Sequence, residues 1–116
     1  MHVLIINLKS SLDRKASMKS QLDGLQIPHT FIEAVNGKSK SASFFSQYDH
    51  KKRMHIMGRA MTGTEVACTL SHLKAMEYAL SKGMTRVCIL EDDGILKENF
   101  LAQLQYAFSL PNKFEF

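Results

Sequence analysis

Three consecutive carboxylates, Glu91, Asp92 and Asp93, directly follow the apolar run VCIL at residues 87–90. A short apolar run with β-branched members is typical of a parallel strand covered on both faces. Adjacent carboxylates repel one another, and Mg²⁺ or Mn²⁺ would remove that repulsion, since these ions bind carboxylate and substrate phosphate oxygens. The alternative is a solvated acidic turn at the start of the next helix. The residues alone leave both interpretations open.

The elements before the acidic turn predict where it lies in the fold. VLIINL at residues 3–8 is apolar on both faces and predicts a central strand. A helix is predicted over residues 12–25, with Ser10 or Ser11 as its N-cap, and a second strand over residues 29–35. This β-α-β order predicts parallel strands. The loop after the first strand therefore opens at the same sheet edge as the acidic turn.

Asp13 and Arg14 lie just after the first predicted strand, within reach of a ligand at that edge. Charges in the first turn of a helix are common without any ligand, and from the residues alone this simpler explanation is preferred. Both residues remain candidates for a binding role.

TGTE at residues 62–65 fits a capping box and predicts a helix over residues 64–81, closed by Gly83. Its spacing predicts that one broad face turns toward the sheet and carries Glu65, Cys68, Thr69, His72 and Met76. A lone histidine on such a face is usually a hydrogen-bonded core residue. Ser71 beside it lacks the third group of a catalytic triad.

Composition and charge limit the function classes. The 116 residues predict one domain, 1–116, and Cys68 and Cys88 in apolar contexts predict reduced core thiols in a cytoplasmic protein. The net charge of +4 arises in the predicted basic loop at residues 38–60, which holds six lysines and arginines against Asp49 alone. Such a loop attracts phosphate, nucleic acid or an acidic acceptor, or is simply solvated.

The last predicted helix covers residues 95–108, with a buried stripe of Leu96, Phe100, Leu101, Leu104 and Phe108. Pro111 ends it. Phe114 and Phe116 follow in the tail and suggest docking, or a fold that continues.

Four sequence blocks occur together in the order of a known family. They are IINL at residues 5–8 followed by Asp13 and Arg14, FIEAVNG at 31–37, GTEVACTLSH at 63–72, and ILEDD at 89–93. The chain resembles glycosyltransferase family 25, which includes bacterial lipooligosaccharide galactosyltransferases and collagen galactosyltransferases. The blocks span nearly the whole chain.

The resemblance implies an α/β fold of the GT-A (Rossmann-like) kind, with a mostly parallel sheet flanked by helices. It also implies a UDP-sugar donor such as UDP-galactose, Mn²⁺ or Mg²⁺ as the metal, and a glycan or lipooligosaccharide acceptor. By analogy Asp93 and Glu91 bind the metal, while Glu91 or Asp92 binds the ribose or a metal-bound water.

Other positions follow from the same resemblance. Asn7, Asp13 and Arg14 match the loop near the nucleotide, and Ser71 matches the block that lines the site. Glu65, His72 and Asp92 are the candidate catalytic residues, without one being assigned as the base. The expected location is the cytoplasm, including peripheral association with the inner face of the inner membrane.

One departure from the family is length, because its members are usually about twice as long as this chain. The expectation is therefore an incomplete domain that forms the donor-binding half, with self-association as one way to cover an exposed sheet edge. Two other classes compete with the enzyme. One is a noncatalytic module that binds nucleotide sugars or anions, and nucleic acid is disfavoured because no nucleic-acid motif is present. The other is a flavodoxin-like phosphoacceptor, disfavoured because its acidic pair normally ends the first strand.

Overall fold

The computed structural model describes residues 1–111, which contain a three-stranded sheet and four α-helices. The strands are β1 (Val3–Asn7), β2 (His29–Glu33) and β3 (Cys88–Glu91). The helices are α1 (Leu12–Gly24), α2 (His50–Met57), α3 (Gly63–Ser81) and α4 (Phe100–Ser109). The strand order is β2-β1-β3 and both pairs are parallel, which confirms the predicted α/β class as an incomplete Rossmann-like fold. Phe114 and Phe116 lie outside the described residues.

Strand β1 is the centre of the sheet, as its two-sided apolar sequence predicted, and all five of its residues are buried. Its odd and even positions pack against different helices. Val3 and Ile5 join a cluster with Met18 and Leu22 of α1 and Leu104 of α4. The opposite face buries Leu4 and Ile6 against two alanines of α3, Ala75 and Ala79. The sheet is therefore covered on both faces, as a parallel sheet requires.

Helix α3 begins with the predicted capping box. The Thr62 hydroxyl accepts from the Glu65 amide at 3.1 Å, while the Thr62 amide donates to the Glu65 carboxylate at 3.3 Å. The face of α3 that was predicted to turn toward the sheet is wrong, because Cys68, Thr69 and Met76 are exposed. The buried residues are small and lie one position away, at Val66, Ala67, Ser71, Ala75 and Ala79. Small side chains at a four-residue spacing let the helix axis approach the sheet closely.

Strand β3 is less buried than its apolar sequence predicted. It pairs with β1 alone among the described strands, and its first three residues are half-buried rather than enclosed. An edge position explains this, because such a strand has a neighbour on one side only.

Helix α4 starts at Phe100, five residues later than predicted. The segment before it is tied to α1 instead, because the Leu96 amide donates to the Gln21 side chain at 2.7 Å. The predicted apolar stripe is confirmed: Leu104 is buried, and Leu96, Phe100, Leu101 and Phe108 pack against the same cluster.

At α1 the predicted start is correct, with Ser11 at the N-cap position, but its side chain makes no capping hydrogen bond. Two of its apolar residues, Leu12 and Ala16, are exposed, while Met18 and Leu22 are buried.

The predicted basic loop at residues 38–60 contains a 3-10 helix, Ala42–Phe44, and the eight-residue helix α2. Asp49 caps α2 by accepting from the Lys52 amide at 2.9 Å. Ala42 and Phe45 are buried against the first turns of α3, which anchors the segment. Its basic side chains remain at the surface. Within residues 1–111, every helix is too short or too polar to cross a membrane.

Candidate functional site

A cleft of about 420 Å³ opens where the three parallel strands end and α3 begins. This volume lies within the range of roughly 300–1,000 Å³ that is common for small-molecule sites. Its position is the usual one for ligands in open α/β sheets, at the carboxyl ends of the strands. Six of the predicted site residues line it: Arg14, Ser71, His72, Glu91, Asp92 and Asp93.

Asp92 is the most firmly held carboxylate of the cleft. The buried Asn7 side chain donates to its Oδ2 at 2.7 Å and to the Ser11 carbonyl at 3.1 Å. Arg14 approaches the other oxygen, Oδ1, at 3.7 Å. The Asp92 side chain is 11% exposed, whereas that of Arg14 is 60% exposed. Asn7 therefore acts as a positioning residue, joining the end of β1 to the turn after β3.

Glu91 and Asp93 flank Asp92 and face different surroundings. The Cys68 thiol donates weakly to Glu91 Oε1 at 3.7 Å, and Cys68 Sγ lies 3.9 Å from Nδ1 of His72. Desolvation raises the pKa of the Cys68 thiol, and the Glu91 carboxylate raises it further. Asp93 is exposed at the cleft wall. Of the three acids, Glu91 and Asp93 have the carboxylates with fewer protein partners among the described residues.

His72 is half-buried at the cleft wall rather than enclosed in the core. Its Nδ1 lies 3.0 Å from the Cys68 carbonyl, one helical turn earlier. A carbonyl only accepts, so the neutral ring carries its proton on Nδ1 in this bond and leaves the Nε2 lone pair free. The imidazole can therefore accept a proton at Nε2.

Ser71 is 2% exposed and its hydroxyl is engaged by the backbone. Its Oγ donates to the Ala67 carbonyl at 2.7 Å and accepts from the Val35 amide at 2.9 Å. These bonds fix the segment after β2 against α3. Ser71 thus shapes the cleft by connecting two of its walls.

Three predicted site residues do not line this cleft, and one of them, Asn7, acts on it through its hydrogen bond to Asp92. Asp13 is exposed on the first turn of α1, in a separate surface depression. Glu65 belongs to the capping box and lies 3.6 Å from Arg59. The bond from the Thr62 amide, with Arg59 nearby, holds the pKa of Glu65 below its ordinary value. Its local role is to stabilise the start of α3.

Sequence reasoning missed some residues of the cleft wall. Cys68 was predicted to be a core thiol and is exposed, while Cys88 is half-buried, and both are free cysteines. Asn36, Gly37 and Lys38 also line the cleft. Their position directly after a parallel strand was an available signal, because strand ends meet at one edge of the sheet.

The comparison with protein families identifies the model of glycosyltransferase family 25 (LPS biosynthesis protein), which matches residues 1–116. The chain is 30% identical over 107 residues to "Inactive glycosyltransferase 25 family member 3" of Mus musculus, covering 89% of this chain and 18% of that protein. It is 32% identical over 109 residues to "Procollagen galactosyltransferase 1-A" of Xenopus laevis, covering 89% of this chain and 18% of that protein.

A bacterial relative is matched over a larger share of its length. "Lipooligosaccharide biosynthesis protein lic2B" of Haemophilus influenzae is 27% identical over 121 residues, which cover 98% of this chain and 44% of that protein. The chain thus spans less than half the length of each of these three relatives. The four sequence blocks, the cleft they build and the family model over residues 1–116 agree, and the chain belongs to glycosyltransferase family 25.

Proposed function

We propose that this chain forms the donor-binding part of a glycosyltransferase that transfers a sugar from a UDP-sugar to a glycan acceptor. The donor is UDP-galactose and the acceptor is a lipooligosaccharide or a related glycan. The observation that carries the proposal is the cleft at the strand ends, which is lined by Glu91 and Asp93 and also by Arg14 and Lys38. Carboxylates suit a metal and sugar hydroxyls, and the two cations suit a diphosphate.

The residues fit a hard divalent cation, Mn²⁺ or Mg²⁺. Two carboxylates with few protein partners, Glu91 and Asp93, line the cleft, and such ions usually take one or two carboxylates with substrate phosphates and water. When bound, the metal neutralises negative charge on the departing diphosphate.

The chain's own groups orient the donor and manage the proton. Asn7 and Arg14 fix Asp92, so its carboxylate is preorganised to accept hydrogen bonds from donor hydroxyls. His72 accepts the proton of the attacking acceptor hydroxyl at Nε2. The geometry favours His72 over Glu65 for this step, because Glu65 lies outside the cleft and is paired in the capping box.

A thermal-shift titration with UDP and UDP-galactose, with and without Mn²⁺, tests the donor site. Ligand at about a hundred times its dissociation constant adds roughly 2.7 kcal/mol to the free energy of unfolding. We expect a metal-dependent shift in the wild type that Asp93→Ala abolishes. Asp13→Ala is the matched control, because this acid lies at the same sheet edge but outside the cleft, and it should keep the shift. A shift of equal size in Asp93→Ala would refute the metal assignment.

A second candidate function is nucleotide-sugar binding without transfer. It is favoured by the relatives, since one named inactive is about as similar to this chain as a procollagen galactosyltransferase is. An assay for UDP release from UDP-galactose with a lipooligosaccharide acceptor distinguishes the two. Binding together with UDP release supports the enzyme. Binding without release supports the noncatalytic module.

The exposed cations of residues 38–60 support an anionic acceptor held at the inner face of the inner membrane. Co-sedimentation with anionic vesicles tests this, and binding should fall as salt is added. Self-association that covers the outer edge of β3 is a separate proposal. A monomer mass measured by light scattering at high protein concentration would contradict self-association.

A further inference from the structure

Cys68 has no role in the proposed donor site, yet its thiol lies beside His72 and Glu91 in the cleft. Cys68, His72 and Glu91 each offer one ligand atom, and these three atoms lie within 4.8 Å of one another. Cys68 and His72 are four residues apart on α3, which places them on one face of the helix. Glu91 comes from the end of β3 and completes the group.

The distances suit a small tetrahedral ion. Cys68 Sγ lies 3.7 Å from Glu91 Oε1 and 3.9 Å from His72 Nδ1. Zinc bonds of about 2.3 Å to sulfur and about 2.0 Å to nitrogen or oxygen place tetrahedral ligand atoms about 3.5 Å apart. Side-chain adjustments of a few tenths of an ångström therefore close these two distances. The ligand atoms of His72 and Glu91 lie within 4.8 Å of each other, so bringing them together takes a movement of up to about 1.3 Å. The side chains are at or near the surface of the cleft, which leaves room for this movement.

The ligand types select the metal. A thiolate, an imidazole and a carboxylate suit Zn²⁺, whereas Mg²⁺ and Mn²⁺ prefer sites built from oxygen atoms. A thiolate and a carboxylate also balance the two positive charges of the ion. Binding displaces the thiol proton of Cys68 to solvent. Binding through His72 Nδ1 also breaks the hydrogen bond from Nδ1 to the Cys68 carbonyl, and the ring then carries its proton on Nε2.

We propose that Cys68, His72 and Glu91 form a zinc-binding site on the cleft wall, with a fourth position open to the cleft. Water or a phosphate oxygen fills that position. The zinc site stands whether or not the cleft binds a nucleotide sugar. If it does, bound zinc occupies Glu91, which the donor metal needs, and His72, which the acceptor hydroxyl needs. Zinc therefore inhibits sugar transfer.

Titration with Co²⁺, a spectroscopic substitute for Zn²⁺, tests the site in the reduced protein. We expect a thiolate-to-cobalt charge-transfer band and the strong visible bands of tetrahedral cobalt. Cys68→Ser should abolish the charge-transfer band. Cys88→Ser is the matched control and should keep it, because Cys88 lies outside the group. Added Zn²⁺ should displace the cobalt and bleach the spectrum.

The other two ligands have their own variants. His72→Gln and Glu91→Gln should each weaken cobalt binding by at least about tenfold, the loss that even an outer-shell partner can cause. Circular dichroism checks that each variant is folded. The proposal is overturned if the wild type gives no charge-transfer band, or if the band survives in folded Cys68→Ser. Unchanged affinity in both His72→Gln and Glu91→Gln would also overturn it. Nucleotide binding is measured in a separate experiment. If no nucleotide binds, the cobalt titration still tests the zinc site.

Discussion

At the scale of single residues, the cleft depends on the buried amide of Asn7, which holds Asp92 in place. Replacing Asn7 by alanine removes a hydrogen bond to a charged group, so we expect a loss of about 1–3 kcal/mol in the free energy of unfolding. UDP affinity should fall as well, because Asp92 loses its orientation. Urea denaturation and a UDP titration measure the two effects.

Arg14→Gln is the control for the Asn7 variant. Arg14 is 60% exposed and its pairing with Asp92 is long, so its loss should change stability by less than about 1 kcal/mol. If Asn7→Ala were as stable as Arg14→Gln and bound UDP like the wild type, the positioning role of Asn7 would be wrong.

The acids of the cleft were predictable, but their partners were not. The sequence shows that Glu91, Asp92 and Asp93 directly follow a predicted strand. The carboxyl ends of parallel strands form the edge where ligands bind, so this position could be predicted. Asn7 lies 85 positions from Asp92, and no local pattern records their contact. For Cys68 the prediction itself was wrong. Its apolar neighbours in the sequence suggested burial, whereas its position on α3 leaves it exposed.

The capping box gives a residue-scale prediction for pH. The Thr62 amide and Arg59 hold the pKa of Glu65 below its ordinary value. A carboxylate whose pKa is lowered by folding stabilises the protein above its unfolded pKa, and this contribution is lost as pH falls through the folded value. The difference in stability between wild type and Glu65→Gln should therefore be full at neutral pH and shrink below about pH 4.3.

Chemical denaturation across this pH range measures the effect of Glu65. Glu77→Gln on the same helix is the control, since Glu77 is exposed near the C-terminal end of α3 and far from the capping box. This variant measures the effect of removing a carboxylate that takes no part in the capping box. A Glu65→Gln difference that grew in acid would contradict the assigned sign.

At the scale of elements, α3 is seated against the segment after β2 through two glycines. A Cβ at Gly63 would collide with the Lys40 carbonyl, and one at Gly37 would collide with Gly63 and Ala67. Backbone cannot move away as a flexible side chain can. Gly63→Ala and Gly37→Ala should therefore each reduce the free energy of unfolding by about 1–3 kcal/mol.

Gly24 provides the matched control for both variants. A Cβ there meets no atom within 4 Å, and the residue ends α1. Gly24→Ala should be neutral or stabilise by up to about 1 kcal/mol, because alanine is the better helix former. Urea denaturation compares the three proteins. Equal stability of Gly63→Ala and Gly24→Ala would show that α3 can shift without cost.

The capping box correctly predicted where α3 starts. The predicted buried positions of the helix, however, were mostly one residue away from the observed ones. The spacing predicted that a broad face carrying Glu65, Cys68, Thr69, His72 and Met76 turns toward the sheet. The structure buries the small residues Ala67, Ala75 and Ala79 and leaves Met76 49% exposed. Close approach of a helix to a sheet favours small side chains, and that preference depends on the partner surface.

At the scale of the whole molecule, the strand order determines the site. The β-α-β beginning predicted parallel strands, and parallel strands bring β1, β2 and β3 to one edge. The edge position of β3 could not be deduced, because the sequence does not say which strands pair. The cleft consequently joins four distant parts of the chain: the α1 start, the segment after β2, the first turns of α3 and the acidic turn.

This arrangement predicts how ligand binding spreads through the protein. If UDP with Mn²⁺ occupies the cleft, amide hydrogen exchange should slow together in residues 8–14, 34–38 and 91–94, because each of these segments contributes residues to the cleft lining. Helix α2 should keep its exchange rate, since its residues do not line the cleft. Exchange measured by mass spectrometry with and without ligand provides the comparison, with Asp93→Ala as the control that should lose the protection. Protection confined to residues 50–57 would instead mean that the nucleotide binds the basic surface through charge alone, and the donor cleft would have to be abandoned.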